Sequence, residues 1–123
     1  GSVFSNIVGP EQENPEALKR AIMIADLDDI GLDYVLGSDS QGVSGGQAQR
    51  ISLARAVYRL LSKRLSILVL DEPLSAQNLE RQEKIVENLK SLSEQGVSIL
   101  AVSHQDSVIN KADTVIDFQE QYA

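Results

Sequence analysis

Hydrophobic and polar positions follow two different patterns along the 123 residues of the chain. Residues 1–64 repeat apolar side chains at helical spacing and predict helices. One helix is expected to begin at Pro15, because proline suits the first helical turn and Asn14 can cap it. The acidic stretch 26–42, broken by glycines, predicts a short helix and loops. A further helix is expected from about Gly45 to Ser62, with an apolar face formed by Ile51, Leu53, Ala54, Val57, Leu60 and Leu61.

The second half of the chain contains short, continuous apolar runs instead. The runs at 65–70 and 97–103 predict strands that are buried on both faces of a parallel sheet. A helix is predicted between them, at about 79–93, and Gly96 is expected to end it. Its apolar positions are Leu79, Ile85, Val86, Leu89 and Leu92. A third strand is expected at 113–118. Strand, helix and strand in this order predict an α/β fold with a parallel sheet.

Composition and charge narrow the possible functions. The apolar fraction of 42% and the charged fraction of 24% are ordinary for a soluble globular protein. No apolar run approaches the roughly 20 residues of a membrane-spanning helix, so direct membrane insertion is not expected. A net charge of −7 argues against broad nucleic-acid binding. With no cysteine and His104 as the only histidine, disulfides, thiolate metal sites and multi-histidine metal sites are excluded.

Polar residues follow both predicted strands. Asp71 and Glu72 come directly after the first strand, and His104 follows the second. In open α/β sheets, ligands bind beyond the carboxyl ends of parallel strands. There Asp71 could hold Mg²⁺, Glu72 could orient or deprotonate a water molecule, and His104 could bind a terminal phosphate. The alternative is that Asp71 and Glu72 form only a polar strand exit and that His104 is a structural or surface residue.

The second candidate site lies at the start of the predicted 45–62 helix. The first backbone N–H groups of a helix have no partners within it, and together with the helix dipole they favour an anion. Gly45 and Gly46 would let a phosphate approach the backbone, Ser44 would add a hydroxyl donor, and Gln47 lies in the first turn. The alternative is an ordinary helix cap at Ser44, which the isolated pattern favours.

Together these segments resemble the ATP-binding cassette (ABC) ATPases. The resemblance rests on four motifs in the family's order and covers about residues 1–118. "VSGGQAQR" (43–50) looks like the signature motif, and "ILVLDEP" (67–73) looks like Walker B followed by the catalytic glutamate. "LSAQNLE" (74–80) resembles the D-loop, and "AVSH" (101–104) resembles the H-loop.

The resemblance implies a partial P-loop NTPase fold. Residues 1–64 would form the helical subdomain with the signature motif, and residues 65–123 the C-terminal half of the RecA-like core. It also implies residue roles in ATP hydrolysis. Asp71 would serve Mg²⁺, Glu72 the attacking water and His104 the γ-phosphate. The γ-phosphate of an ATP held by a partner subunit would be contacted by Ser44, Gly45, Gly46 and Gln47.

The partners follow from the same resemblance. The protein is expected to couple ATP hydrolysis to transport, with a second ABC ATPase subunit packed head to tail and with a transmembrane domain. The protein is expected to act at the cytoplasmic face of a membrane, although the segment itself is expected to be soluble. Nucleic acid is not an expected partner. The segment "GSVFSNI" (1–7) resembles exporter-type cassettes in particular.

Some family features differ or are missing. The chain contains no Gly-Lys pair and therefore no Walker A loop, whose backbone cradles the phosphates. The chain alone is therefore expected neither to bind ATP tightly nor to hydrolyse it. In the D-loop, Leu74 stands for the common threonine, Gln77 for leucine and Asn78 for aspartate. Asn78 keeps a hydrogen-bonding side chain but loses the charge, so its D-loop role is open.

Two alternative functions come from other classes. One is an ABC-type ATPase of DNA repair or chromosome organisation. Its heads usually lack the Gln-x-Gln-Arg continuation and the switch histidine, and a chain with a net charge of −7 is a poor DNA binder. The other is a truncated, non-catalytic interaction fragment.

Overall fold

The computed structural model describes residues 1–10, 13–31 and 43–116. Within these ranges the chain forms five helices and one two-stranded sheet. The elements in chain order are α1 (Val3–Val8), α2 (Pro15–Ile24), α3 (Gly45–Ser62), β1 (Ile67–Asp71), α4 (Leu79–Glu94), β2 (Ser98–Val102) and α5 (Asp106–Ile109). Most of the 26–42 stretch, for which a short helix and loops are predicted, lies outside the described residues.

The helices begin at the side chains that the sequence offers as caps. At α2 the Asn14 side chain accepts a hydrogen bond from the Ala17 N–H, and Pro15 occupies the first turn, which confirms the predicted start. The predicted bounds of α3 are also confirmed, and Lys63 occupies the cap position after its last residue, Ser62. The helical pattern did not separate α1 as an element of its own, because it is only six residues long.

The two strands form a parallel pair joined by α4. Their register pairs Ile67 with Ser98 and Asp71 with Val102. The prediction of strands buried on both faces is wrong for the described part of the chain. Leu68 and Leu70 are buried, whereas Ile67 and Val69 on the opposite face are 65% and 63% exposed. The reason is that the described helices pack against one face of the sheet only.

The predicted third strand at 113–118 is not found where the structure describes that segment. Residues 113–116 form no strand, and the remainder of the segment lies outside the described residues. The described sheet therefore ends at β2, and the apolar side chains Val115 and Ile116 are exposed.

Among the described residues, one hydrophobic core joins the helices to the buried face of the sheet. It holds α3 against α1, α2 and β1, and α4 against β2. Tyr58 of α3 is almost fully buried, and its hydroxyl accepts a hydrogen bond from the Asn14 N–H at 2.9 Å. No helix in the described part of the chain is long and apolar enough to cross a membrane.

Candidate functional site

Glu72 directly follows β1 at the carboxyl end of the sheet. Its N–H donates to the Val102 carbonyl at 2.7 Å, which continues the parallel ladder one residue beyond β1. Its φ of 44° lies in the left-handed region that non-glycine residues seldom adopt. Such conformations persist where neighbouring contacts hold them, and they cluster at functional sites. Asp71, the last residue of β1, is exposed beside it.

His104 lies next to Glu72, as the parallel strand order predicts. Its Nε2 atom is 3.5 Å from the Glu72 Oε1 atom. The imidazole is 90% exposed and the carboxylate 33% exposed, so both reach solvent at this rim of the sheet. The structure therefore brings together two of the side chains expected to act on a nucleotide phosphate and its attacking water.

Ser44 and Gln47 form a reciprocal cap at the start of α3. The Ser44 Oγ atom accepts from the Gln47 N–H at 3.0 Å, and the Gln47 Oε1 atom accepts from the Ser44 N–H at 2.9 Å. The helix-cap alternative is therefore realised. It does not exclude an anion site, because the cap leaves the N–H groups of Gly45 and Gly46 without intrahelical acceptors.

The two glycines of this turn have different surroundings. A side chain at Gly45 would meet no atom within 4 Å, so this position opens towards the exterior. A Cβ atom at Gly46 would lie 3.1 Å from the Ala76 carbonyl oxygen and 3.3 Å from the Gln77 Oε1 atom. A side chain at Gly46 would therefore require the segment after Glu72 to shift by a few tenths of an ångström, while the space at Gly45 could admit a phosphate.

Gln49 connects α3 to the turn that holds Glu72. Its Nε2 atom donates to the Glu72 carbonyl at 2.9 Å and to the Ser75 hydroxyl at 3.0 Å. Its Oε1 atom accepts from the Ala76 N–H at 3.0 Å. Gln49 is therefore a functional candidate that the sequence reasoning missed. The available signal was helical spacing, because residues 46, 49 and 50 share one face of α3.

Arg50 is the second residue that was missed. It is only 3% exposed and forms a two-pronged ion pair with Asp29, at 2.7 and 2.9 Å. Its guanidinium also donates to the Asp26 carbonyl at 2.9 Å and to the Gln77 side chain at 3.1 Å. Hydrogen bonding from Arg50 holds the pKa of Asp29 well below its ordinary value. Arg50 therefore ties the signature-like helix to the acidic loop after α2.

Asn78 occupies the cap position of α4. Its Oδ1 atom accepts from the Arg81 N–H at 2.8 Å. A helix cap needs a side chain with a hydrogen-bond acceptor, and both asparagine and aspartate provide one. Arg81 in turn donates to the carboxylates of Asp26 and Asp28, and its hydrogen bond lowers the pKa of Asp28.

Asp71 remains the one residue predicted to serve a metal ion. No group of three or more acidic or histidine side chains able to hold a metal is found among the described residues. Mg²⁺ commonly uses one or two protein carboxylates and completes its shell with water and substrate phosphates. Asp71 alone would not make a metal site without a nucleotide.

Comparison of sequences finds similarity to UvrABC system protein A from several bacteria. The chain is 36% identical over 106 residues, or 85% of its length, to the protein of Aquifex aeolicus. It is 40% identical over 90 residues, or 72% of its length, to that of Micrococcus luteus. The chain spans only 11% and 9% of these relatives. No protein-family model matches the chain.

The solved structures to which this chain is similar include an ABC exporter and an ATP-binding cassette. One is a bacterial Atm1-family ABC exporter with ATP bound, with a TM-score of 0.77 at 23% identity over 91% of this chain and 20% of that one. The other is the ATP-binding cassette MJ0796 in a dimeric, post-hydrolysis state bound to ADP and Pi. Its TM-score is 0.70 at 25% identity, over 91% of this chain and 50% of that one. These similarities confirm the predicted α/β fold class.

Proposed function

This chain corresponds to the C-terminal part of an ABC ATPase domain, and from that premise we propose that it carries complementary parts of two ATP sites. One part consists of Asp71, Glu72 and His104 at the strand ends. The other is the first turn of α3. The observation that carries the proposal is the 3.5 Å approach of His104 to Glu72, which sits in a strained turn directly after the strand.

At the strand ends, Glu72 orients or deprotonates the attacking water, and His104 hydrogen-bonds the γ-phosphate. The 33% exposure of the Glu72 side chain leaves its carboxylate accessible to water. A solvent-accessible carboxylate is suited to accept a proton when it is within hydrogen-bond reach of the attacking water. The 3.5 Å approach of His104 puts both side chains at the same rim, so that water and phosphate would be bound next to each other.

The start of α3 acts in trans on an ATP held by a second ABC ATPase subunit. The N–H groups of Gly45 and Gly46 and the Ser44 hydroxyl are suited to bind phosphate oxygens, and Gln47 fixes the geometry of the turn. Because the cap orients these donors before a ligand arrives, little reorganisation is needed as charge develops on the γ-phosphate. The dimeric state named for MJ0796 supports a second subunit as partner.

The nucleotide is ATP together with Mg²⁺. Asp71 would provide a carboxylate ligand to the ion, directly or through water. When bound, Mg²⁺ neutralises negative charge on the phosphates of the nucleotide. The chain has no Walker A loop, so a phosphate cradle from outside these residues is needed. The chain alone would not bind ATP tightly or hydrolyse it.

The coupled process that we favour is transport across a membrane. Support comes from the structural match to an Atm1-family exporter and from the exporter-like segment at residues 1–7. In this function the chain acts at the cytoplasmic face of the membrane and contacts a transmembrane domain. The substrate is selected by that domain.

The second candidate is an ABC-type ATPase of DNA repair. It is favoured by the 36% identity to UvrABC system protein A over 106 residues. Because of this similarity, the net charge of −7 is not a sufficient reason to exclude nucleic acid as a partner. The two functions are distinguished by measuring which addition stimulates ATP hydrolysis by the assembled ATPase. Duplex DNA is expected to stimulate a repair ATPase, and reconstitution with the transmembrane partner in lipid is expected to stimulate a transporter.

The replacement Glu72→Gln tests the proposed hydrolytic site in the assembled ATPase. Glutamine keeps the shape of the side chain but cannot accept a proton, so kcat should fall about 100-fold or more. ATP binding should be retained, because the proposed phosphate cradle is untouched. Steady-state hydrolysis and equilibrium binding of a fluorescent ATP analogue measure the two effects separately.

Glu80→Gln is the matched control. Glu80 is exposed in the first turn of α4, and the same chemical change there should leave kcat within about twofold. If Glu72→Gln hydrolysed ATP as fast as Glu80→Gln, the proposed role of Glu72 would be refuted.

A further inference from the structure

Gln77 is a buried amide at the junction of α3 and the turn that holds Glu72. It is only 8% exposed, although it is a polar residue in a loop. Its Nε2 atom donates to the Gly46 carbonyl at 2.9 Å and to the Gln49 Oε1 atom at 3.0 Å. Its Oε1 atom accepts from the Arg50 Nε atom at 3.1 Å. One side chain thus contacts three residues in the first turns of α3.

The backbone of Gln77 is held from the opposite side. Its carbonyl accepts a hydrogen bond from the Gln82 Nε2 atom at 2.9 Å. The same amide group of Gln82 donates to the Gln105 Oε1 atom at 3.1 Å, directly after His104. Contacts therefore run from the segment after β2, through Gln82 and Gln77, to the first turn of α3.

We propose that Gln77 is a positioning residue that fixes the phosphate-binding turn of α3 relative to the Glu72 turn. This inference rests on the proposed function, because the positioning would serve ATP hydrolysis. A Cβ atom at Gly46 would lie within 3.1–3.5 Å of the Ala76 carbonyl oxygen and the Gln77 amide, so the two segments approach each other closely at this point. Because Gln77 is neutral, this link is not expected to depend on pH near neutrality.

The chemistry of an amide is specifically required for these contacts. The NH₂ group donates to two oxygen atoms while the carbonyl oxygen accepts from a buried guanidinium. Leucine, which stands at this position in the cassettes that the segment resembles, can do neither. The position of the α3 turn in this chain therefore depends on polar contacts that an apolar residue would have to replace by packing.

Two variants of the assembled ATPase test the hydrogen bonds that Gln77 donates and the one that it accepts. Gln77→Met keeps a similar size and removes all three side-chain hydrogen bonds. Gln77→Glu keeps an acceptor for Arg50 but cannot donate to Gly46 or Gln49. We expect both to lower kcat about fivefold, while KM for ATP changes less than about twofold, because the main phosphate cradle lies outside these residues.

Gln95→Met is the matched control. Gln95 is exposed at the end of α4 and accepts one hydrogen bond from Arg20. It should retain the wild-type kcat and KM. All variants are assayed at a temperature at which thermal denaturation shows them to be fully folded. Differences in kcat then cannot result from unfolding.

Hydrogen exchange gives a second measurement that does not depend on catalysis. Amides in the first two turns of α3 should exchange faster in Gln77→Met than in Gln95→Met, with unchanged exchange in α2. If the wild-type ATPase is active and both Gln77 variants match it in kcat and exchange, the positioning role is refuted. An inactive wild-type ATPase would instead refute the proposed function, while the exchange experiment would still test the link.

Discussion

Arg50 illustrates how one charged residue is accommodated in the interior. Its side chain is almost fully buried in α3, yet the Asp29 carboxylate, the Asp26 carbonyl and the Gln77 amide satisfy its donors. Burying an unpaired charge costs far more than burying a paired one, so the loss of a partner should be costly. The pair with Asp29 also makes the stability of the chain depend on pH.

The replacement Asp29→Asn tests that pair. The wild-type folded state keeps Asp29 ionised to a lower pH than the unfolded state, in which an aspartate takes up a proton near pH 4 because its pKa is unperturbed there. The stabilisation is therefore present above about pH 4 and declines as the pH falls below it. We expect the Asp29→Asn variant to have a free energy of unfolding about 1–2 kcal/mol lower than that of the wild type at pH 6, with a smaller difference at pH 3.

Urea denaturation at the two pH values measures this effect. Asp113→Asn is the control, because Asp113 forms an exposed pair with Lys90 and should contribute less than about 0.5 kcal/mol. An equal loss of stability for Asp29→Asn at pH 6 and pH 3 would contradict the assigned cause.

At the scale of elements, α4 combines helical periodicity with burial on one side. Ile85, Val86, Leu89 and Leu92 are buried as the pattern predicts. Leu79 belongs to the same predicted apolar set but is 63% exposed. The difference arises because Leu79 lies in the first turn, where no described element covers it.

The loss of stability on replacing an apolar side chain of α4 by alanine should therefore depend strongly on its position. Ile85 has no exposed surface, so Ile85→Ala should lower the free energy of unfolding by about 2–5 kcal/mol through lost burial and a cavity. Leu79→Ala in the same helix should change it by less than about 1 kcal/mol. Chemical denaturation followed by far-UV circular dichroism measures both values. Similar losses for the two variants would contradict the packing of α4.

At the scale of the whole molecule, the exposed face of the sheet stands out. Ile67, Val69, Leu100 and Val102 are each more than half exposed, on two adjacent strands. Parallel sheets are normally covered on both faces. A contiguous apolar surface of this kind favours association.

The chain by itself should therefore self-associate through this face. We expect light scattering to show a mass above that of the 13.4 kDa monomer at tens of micromolar protein. Val69→Lys should shift the population towards monomer, because it places a charge in the middle of the face. Met23→Lys is the control, since Met23 is equally exposed on α2 and lies outside the sheet. A wild-type chain that is a monodisperse monomer would contradict this prediction.

The sequence by itself determined the order of α2, α3, β1, α4 and β2 and the residues that cap α2 and α3. Asn14 with Pro15 and Ser44 with Gln47 form caps through contacts within a few residues, so local chemistry sufficed. The adjacency of Glu72 and His104 was also predictable, because successive parallel strands end at the same edge. The division at residue 64 and the catalytic roles themselves remain predictions.

The tertiary structure alone decided which faces are covered and which polar residues connect the elements. The residue types in an apolar run such as 65–70 do not show whether one or both faces of the strand are covered. The elements that cover a face can lie far away in the sequence. Likewise, the links made by Gln49, Arg50 and Gln77 join residues 21 to 31 positions apart. Amides and guanidinium groups bond to many partners, so their residue type alone cannot specify such distant contacts.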